Sequence, residues 1–449
     1  MRLTRGDGMQ DLSNFSAVLP PGVVGRIAGV GRCSEAQIAF ARARQGSRGG
    51  RVEQAHPSCP ARSVLGHTTA GAGVGSQLTY VPGTLYLAGP YKGAPLSVVS
   101  ITPAVAGPFD AGVVVVRVGL KLNPTTGVVE VDGAASDPIP HILKGIPLNV
   151  RDLRVYTDRP GFTLNATSCE PSATYATLWG AGTVLDPSFE TPVARAARYQ
   201  AAGCAALAFK PKLAIKLKGG PRRGAHPALR AVVTPRPGDA NFARAVVKLP
   251  TSAFLDQAHI RTICTRVQFA AGPGGGALCP KGARYGYARA WSPLLDAPAQ
   301  GPVYLRSSNH KLPDLVVALT GPPSAPFQIE LSARIDSVRG GIRSTFPAIP
   351  DLPVSRFILD MQGGKKGLIV NSRHLCHKPG RNRARSNIRG QNGRFSKTRP
   401  RVVALTCAKR RKARRKRAKR AKQASVSRAL MAEKGGDRRW GEASIPSSR

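Results

Sequence analysis

Eight cysteines divide into two sets of four, and each set sits in the same order of landmarks. That duplication constrains the fold more than any other feature of the chain. Asn14-Phe15 and Leu19-Pro20 are answered by Asn241-Phe242 and Leu249-Pro250. The first cysteine follows the leucine by 14 positions in one set (Cys33) and by 15 in the other (Cys264). Cys59-Pro60 matches Cys279-Pro280, Gly83 to Leu87 matches Gly301 to Leu305, and Pro95 to Val99 matches Pro313 to Val317. Gly161 to Asn165 corresponds to Gly367 to Asn371, each soon followed by a cysteine, Cys169 or Cys376. Cys204 closes the first set as Cys407 closes the second. A chain of 449 residues that repeats itself in this way is a tandem duplication. The first copy covers 1–208, the second 209–408, and a basic tail 409–449.

Within the copies the period of hydrophobicity is two, which is the period of a half-buried strand. Phe327 to Asp336 alternates apolar and polar residues almost without fault, and Val116 to Leu122 does the same with Arg117 and Lys121 outward. Lys212 to Lys218 sets lysines against Leu213, Ile215 and Leu217, a pattern that protects an edge strand from pairing. Asn123 to Gly127 and Gly340-Gly341 follow equivalent strands as hairpin turns. Ser34-Glu-Ala-Gln37 is a capping box that opens a helix to about Arg44, and a shorter helix is expected over Phe254 to Ile260. The expected fold is mainly β, in tandem antiparallel β-sandwich-like repeats with one or two short helices.

Four cysteines per copy allow three connectivities. The repeat favours local pairing, because the copies change loop length within pairs without losing a cysteine. In sequence order the pairs are Cys33–Cys59, Cys169–Cys204, Cys264–Cys279 and Cys376–Cys407. Structural zinc is the rival reading, but no Cys-x-x-Cys spacing occurs. Disulfides imply an oxidising compartment, so the protein is expected to be secreted or at the cell surface. Met1 to Phe15 has no apolar core of a signal peptide. The second copy is preceded by strand-like segments at Phe209–Gly219 and His226–Thr234 that the first lacks. The expectation is therefore a gene start that has lost opening strands and a signal peptide. No apolar run reaches the length of a membrane-spanning helix.

The formal charge is +43, and residues 377–449 carry 25 Lys and Arg against 3 acidic residues, a net of +22. The densest run is formed by Lys409, Arg410, Arg411, Lys412, Arg414, Arg415, Lys416, Arg417, Lys419, Arg420 and Lys422. Like-charge repulsion opposes the helix propensity of these residues, so the isolated tail is expected to be disordered, or helical on an anionic surface. The run fits a polyanion: an anionic cell-wall polymer, or nucleic acid bound without sequence preference. No recognition signature for nucleic acid stands beside it.

No catalytic constellation emerges, so no enzyme activity and no cofactor are expected. Ser307, Ser308, His310 and Asp314 cluster in sequence, but the first copy has no such groups there, and a polar loop explains them. His374, Cys376 and His377 lack a fourth metal ligand. Gly272 to Gly276 lacks the Gly-Lys-Ser/Thr ending of a phosphate loop. Arg5-Gly6-Asp7 has the form of an integrin-binding tripeptide but falls on a turn of the repeat, and Asn165-Ala-Thr167 is a glycosylation sequon only in a host that glycosylates. Trp291 and Tyr304 read as core or sheet-face aromatics.

Several stretches resemble a family of large uncharacterised secreted proteins of high-GC soil actinobacteria. They are Leu19 to Gly22 with Cys33 to Gln37, Tyr86 to Pro95, Asp158 to Phe162, Gly203 to Phe209 and Tyr304 to Asp314. The resemblance covers most of 12–407 and implies a compartment but no activity. The chain departs from the pattern at its start and at the Arg/Gly-rich insertion Phe40 to His56. The expected function is a secreted or cell-surface structural or binding protein, with polyanion binding through the tail as the alternative.

Overall fold

In the computed structural model, residues 1–181, 192–272, 274–338, 341–377 and 379–435 are described. The first copy contributes β1 (Arg2–Thr4), β2 (Leu12–Val18), β3 (Val24–Gly25), β4 (Val64–Ala72), β5 (Thr79–Ala88), β6 (Leu96–Ala106) and β7 (Phe109–Leu122). After these come β8 (Val129–Asp132), β9 (Ile142–Leu143), β10 (Ile146–Pro147), β11 (Val150–Tyr156), β12 (Thr163–Leu164), β13 (Ser172–Gly180) and β14 (Val193–Tyr199). The second copy supplies β15 (Lys212–Lys218), β16 (Ala228–Thr234), β17 (Phe242–Lys248), β18 (Ala253–Leu255), β19 (Arg284–Trp291), β20 (Ala299–Arg306) and β21 (Asp314–Thr320). It ends with β22 (Gln328–Val338), β23 (Gly341–Phe346), β24 (Arg356–Met361), β25 (Ile369–Asn371), β26 (Arg385–Gly390), β27 (Phe395–Thr398) and β28 (Val402–Ala404).

Two large sheets result, and their strand orders coincide. The first runs β1-β11-β4-β5-β6-β7-β8-β2-β13-β14. The second, read from the corresponding end, runs β28-β15-β16-β24-β19-β20-β21-β22-β23-β17-β26-β27. Ten strands match one for one, and the second sheet continues past the equivalent of β1 with β15 and β28. Details repeat as well. A bulge at Val64/Gly66 is answered by one at Arg284/Gly286, and the small β3–β12 ladder by β18–β25. Each sheet curls along one long strand. Gln328–Ala333 of β22 pairs with β21, while Arg334–Val338 pairs with β23. Inner and outer faces therefore alternate along every strand.

The outer face of each sheet is covered by a stapled helix. α1 (Glu35–Ala43) carries the Ser34/Gln37 capping box, and α3 (Arg266–Ala270) carries its counterpart, Thr265/Gln268. Both follow a cysteine that bridges in parallel to the sheet, Cys33 to Ala88 and Cys264 to Arg306. The insertion Phe40 to His56 completes α1 and forms α2 (Gly49–Ala55), held by Asp110 accepting the Gly50 and Arg51 amides. Arg117, 1% exposed, anchors α1 from below. It donates to Glu35 at 2.6 and 2.7 Å and to Ser97 at 2.8 Å, beneath the ring of Tyr91. That contact holds the Glu35 carboxyl below its ordinary range.

Two local expectations are corrected. Phe254 to Ile260 is β18 followed by a 3-10 turn at Gln257–His259, because Asp256 caps that turn through the Ala258 amide. β15 is not the sheet edge, since β28 runs parallel along its outer side. The described part of the tail, up to Gly435, continues α4 (Leu405–Gly435). The helix starts directly from β28, and Cys407 in its first turn is bridged to Cys376. The turn at Asn123 to Gly127 forms as expected, with the Gly127 amide donating to Asn123 O and Gly127 at φ +67°. Of the other expected turn, Gly340-Gly341, Gly340 lies outside the described residues and Gly341 opens β23.

Among the contacts that join the copies is a buried carboxylate. Asp351, 6% exposed, accepts from the Thr167 amide, the Thr167 hydroxyl, the Ser168 amide and the Asn241 side chain at 2.7–3.1 Å. Four donors compensate its desolvation.

Candidate functional site

All eight cysteines are paired, and in sequence order, with Cα separations of 5.0, 5.6, 5.1 and 5.3 Å. These lie in the ordinary disulfide range. They fix the framework in which the inner faces can be compared position by position.

In the second copy the inner face is a dense core. Val303, Leu305, Val317 and Ala333 are fully buried, with Leu315, Leu319, Ile329 and Ile335 beside them. Ile215 and Leu217 of β15 close this core from the opposite side, and Leu213 packs against it. In the first copy the corresponding face is only half-buried at Val98, Ser100, Thr102, Val114, Val116 and Val118. These residues line an apolar cavity of about 1020 Å³. Leu3, Leu153 and Val155 form one wall, and Phe327, Leu352 and Pro353 of the second copy contribute to another.

Among the polar residues of its lining, three on the central strands are linked to one another. Thr68, Ser100 and Thr102 form a row of hydroxyls, with oxygens 2.9 and 3.4 Å apart. Strand pairing puts Ala288, Val317 and Leu319 at these places in the second copy. Gly83 leaves room for the row, since a Cβ there would meet both threonine hydroxyls within 2.6 Å. An apolar chamber with a few convergent polar groups is the common form of a ligand site.

The basic run projects from the body. Arg415, Lys416, Arg417, Lys419, Arg420 and Lys422 are exposed along α4. The side chains of Lys409, Arg410, Arg411, Lys412 and Arg414 lie outside the described part of the structure. No helix among the described residues is long and apolar enough to cross a membrane.

The groups set aside from sequence are engaged locally. Ser308 donates its hydroxyl to Leu312 O at 2.7 Å, and His310 pairs with Asp314 at 2.8 Å, so the hydroxyl and the imidazole each have a different partner. His374 stacks on His377, and Cys376 is spent in its disulfide. Arg5 is 12% exposed and turned back onto Val150 O and Met9 O, so the tripeptide is not displayed. Thr167 of the sequon is committed to Asp351. Tyr304 packs edge-on against Phe269 beneath α3, and Arg356 lies over Trp291.

Sequence reasoning missed two features. The cavity depends on residues spread over the whole first copy. The other is a cluster of His226, Asp256 and His259, whose ligand atoms lie within 4.8 Å of one another. His226 Nε2 donates to Asp256 at 2.7 Å, which holds that carboxyl below its ordinary range. His259 Nδ1 donates to Gly367 O at 2.9 Å, turning Nε2 toward Asp256. Two histidines and a carboxylate could hold a zinc-like ion if the His226 Nε2 proton left. The three residues are separated by 30 and 3 positions, which hides them from a spacing search.

No family model, curated protein or solved structure matches the chain.

Proposed function

We propose that the protein is a secreted or cell-surface binding protein built from two copies of one β fold, with the second copy as scaffold and the first as binding module. The carrying observation is the contrast between matched interiors, one packed and one hollow. Four disulfides shared equally between the copies support an oxidising compartment. The resemblance to secreted actinobacterial proteins points the same way. The reading assigns no catalytic role. An environment-sensitive apolar dye tests the binding module: saturable uptake by the native protein, lost in Val116→Arg, is expected. Absence of uptake, or uptake indifferent to Val116→Arg, overturns it. Fractionation of cells with an antibody against 209–330 tests the compartment, and a purely cytoplasmic signal overturns that part.

A second reading is supported by the exposed basic side chains of α4, which offer a polyanion such as anionic wall polymer or nucleic acid a continuous charged rod. Truncation after Ala408 should abolish binding to such a polymer, and binding by the full chain should weaken steeply with salt.

A further inference from the structure

We propose that His226, Asp256 and His259 form a zinc site of the second copy, in which the three side chains hold the ion and a fourth position is open to water. The site is independent of the binding module and of the basic helix.

Separate stretches of the chain are tied together there. His226 precedes β16, and its carbonyl accepts from the Gly364 amide at 2.9 Å. Asp256 follows β18, and its amide donates to Leu368 O at 2.9 Å. His259 closes the 3-10 turn, and its carbonyl accepts from the Tyr285 hydroxyl at 3.2 Å. A Cβ at Gly367 would come within 2.8 Å of the His226 Cβ, so the glycine lets the stretches approach. The fold therefore places the ligands before any ion arrives.

The donor atoms converge. Asp256 spends Oδ1 on the Ala258 amide at 3.0 Å and turns Oδ2 toward both histidines. That oxygen is 2.7 Å from His226 Nε2 and 3.8 Å from His259 Nε2. Tetrahedral zinc, with bonds of about 2.0–2.2 Å, sets its ligand atoms about 3.3 Å apart, between those two distances. The bond from His259 Nδ1 to Gly367 O leaves Nε2 with its lone pair. The rings of His226 and His259 stack with centroids 4.0 Å apart. Two imidazolium ions would resist that contact, so at least one ring is neutral and able to ligate. On binding, His226 Nε2 loses its proton to solvent, and the ion takes that proton's place beside Asp256. Nitrogen donors favour a zinc-type ion over magnesium or calcium, which take oxygen ligands. The three side chains are 19–23% exposed, and among the described residues no further His, Cys or acidic side chain joins them, so water reaches the fourth position.

The shared framework does not account for these residue types. In the first copy Arg26 N donates to Phe162 O and Val30 N to Ile27 O, as Asp256 N donates to Leu368 O and Ile260 N to Gln257 O in the second. These bonds put Arg26 and Gly29 at the places of Asp256 and His259. The turn therefore forms without a carboxylate or an imidazole.

The test titrates the full chain with Co²⁺, whose visible absorption reports tetrahedral coordination, and then with Zn²⁺. One Co²⁺ per chain should bind saturably and be displaced by Zn²⁺ but not by Mg²⁺ or Ca²⁺. Asp256→Asn, which keeps an oxygen for the Ala258 amide, and His259→Gln should each weaken Zn²⁺ binding by more than about tenfold. His374→Gln combined with His377→Gln should leave it unchanged. On the native chain, Zn²⁺ should slow modification of His226 and His259 by diethyl pyrocarbonate, but not of His310, as read by peptide mass spectrometry. That readout holds whether or not either variant folds. Absence of saturable Co²⁺ binding, binding unchanged in both single variants, or unaltered reactivity of His226 and His259 overturns the site. Binding lost only in the His374/His377 variant assigns the ion to that pair and overturns it as well.

Discussion

Val98, Ser100 and Thr102 in the first copy stand where Leu315, Val317 and Leu319 stand in the second, on strands with the same neighbours. The second set is buried among aliphatic partners, and the first faces a cavity. Among the described residues two differences separate the interiors: smaller or polar side chains on the central strands of the first, and no strand there at the place of β15. Each copy keeps its stapled helix on the other face. The outer faces therefore hold the framework in both copies, and the inner faces are where they diverge.

The largest expected effect breaks or sharpens that contrast directly. Leu315→Ala should destabilise the protein by about 2–5 kcal/mol, because the lost contacts leave a cavity in a closed core. Val98→Ala, at the equivalent place, borders space already empty and should cost about 1 kcal/mol or less. Denaturant unfolding of the two variants measures both. Equal losses would mean that the first interior is as tightly packed as the second.

A smaller effect concerns the edge. Arg2 and then Arg154, with Tyr80, hold the Asp152 carboxyl well below its ordinary value. A depressed carboxyl stabilises the fold fully above its unfolded value of about 4, and the contribution is lost as pH falls below that toward the folded value. Acid should therefore loosen β1 from β11, a response the second sheet lacks at the equivalent position, Arg356. The protection of the Leu3 and Arg5 amides against exchange should fall from about pH 4 downward, and Asp152→Asn should show that lower protection at neutral pH. Protection independent of pH in the native chain would remove Asp152 from the account.

Much of this architecture is legible in the chain because it is written twice. The cysteines, the Gly-x-x-Tyr-Leu strands and the Ser34 capping box are local signals, and the duplication filters chance from each. Register is less legible. Matching Pro95 with Pro313 puts Val98 opposite Val316, but the ladders put it opposite Leu315. A shift of one residue exchanges the faces of a strand, so the match by identity conceals which residues line the interior. The alternating lysines of β15 suggest an edge, yet β28, from nearly 190 residues later, covers it. The hollow interior is invisible for the same reason, being a property of which strands meet. The tail illustrates a different limit: composition weighs propensity against repulsion, but not the start that β28 and Cys407 give α4.

The smallest expected effect tests whether the outer faces are as alike as the framework implies. Ser34 and Thr265 each accept from the amide three residues on, and Gln37 and Gln268 each return a bond to the cap amide. Replacing either cap with alanine should cost about 1 kcal/mol, the usual worth of such a cap. α1 has nine residues, and Arg117 grips it from below, so Ser34→Ala should fray its first turn and leave the rest in place. α3 has five residues, and beyond the cap it is held by Phe269 against Tyr304, by Arg266 bonded to Ser307 and Asn309, and by the Cys264–Cys279 bridge. In so short a helix Thr265→Ala should loosen every turn, seen as faster exchange at the Phe269 amide, which donates to Thr265 O. Equal stability losses with unequal helix loss would place the two copies on one framework with different local reserves. A negligible loss at Thr265 would show that the disulfide and the Phe269 and Arg266 contacts hold α3 against its sheet without the cap.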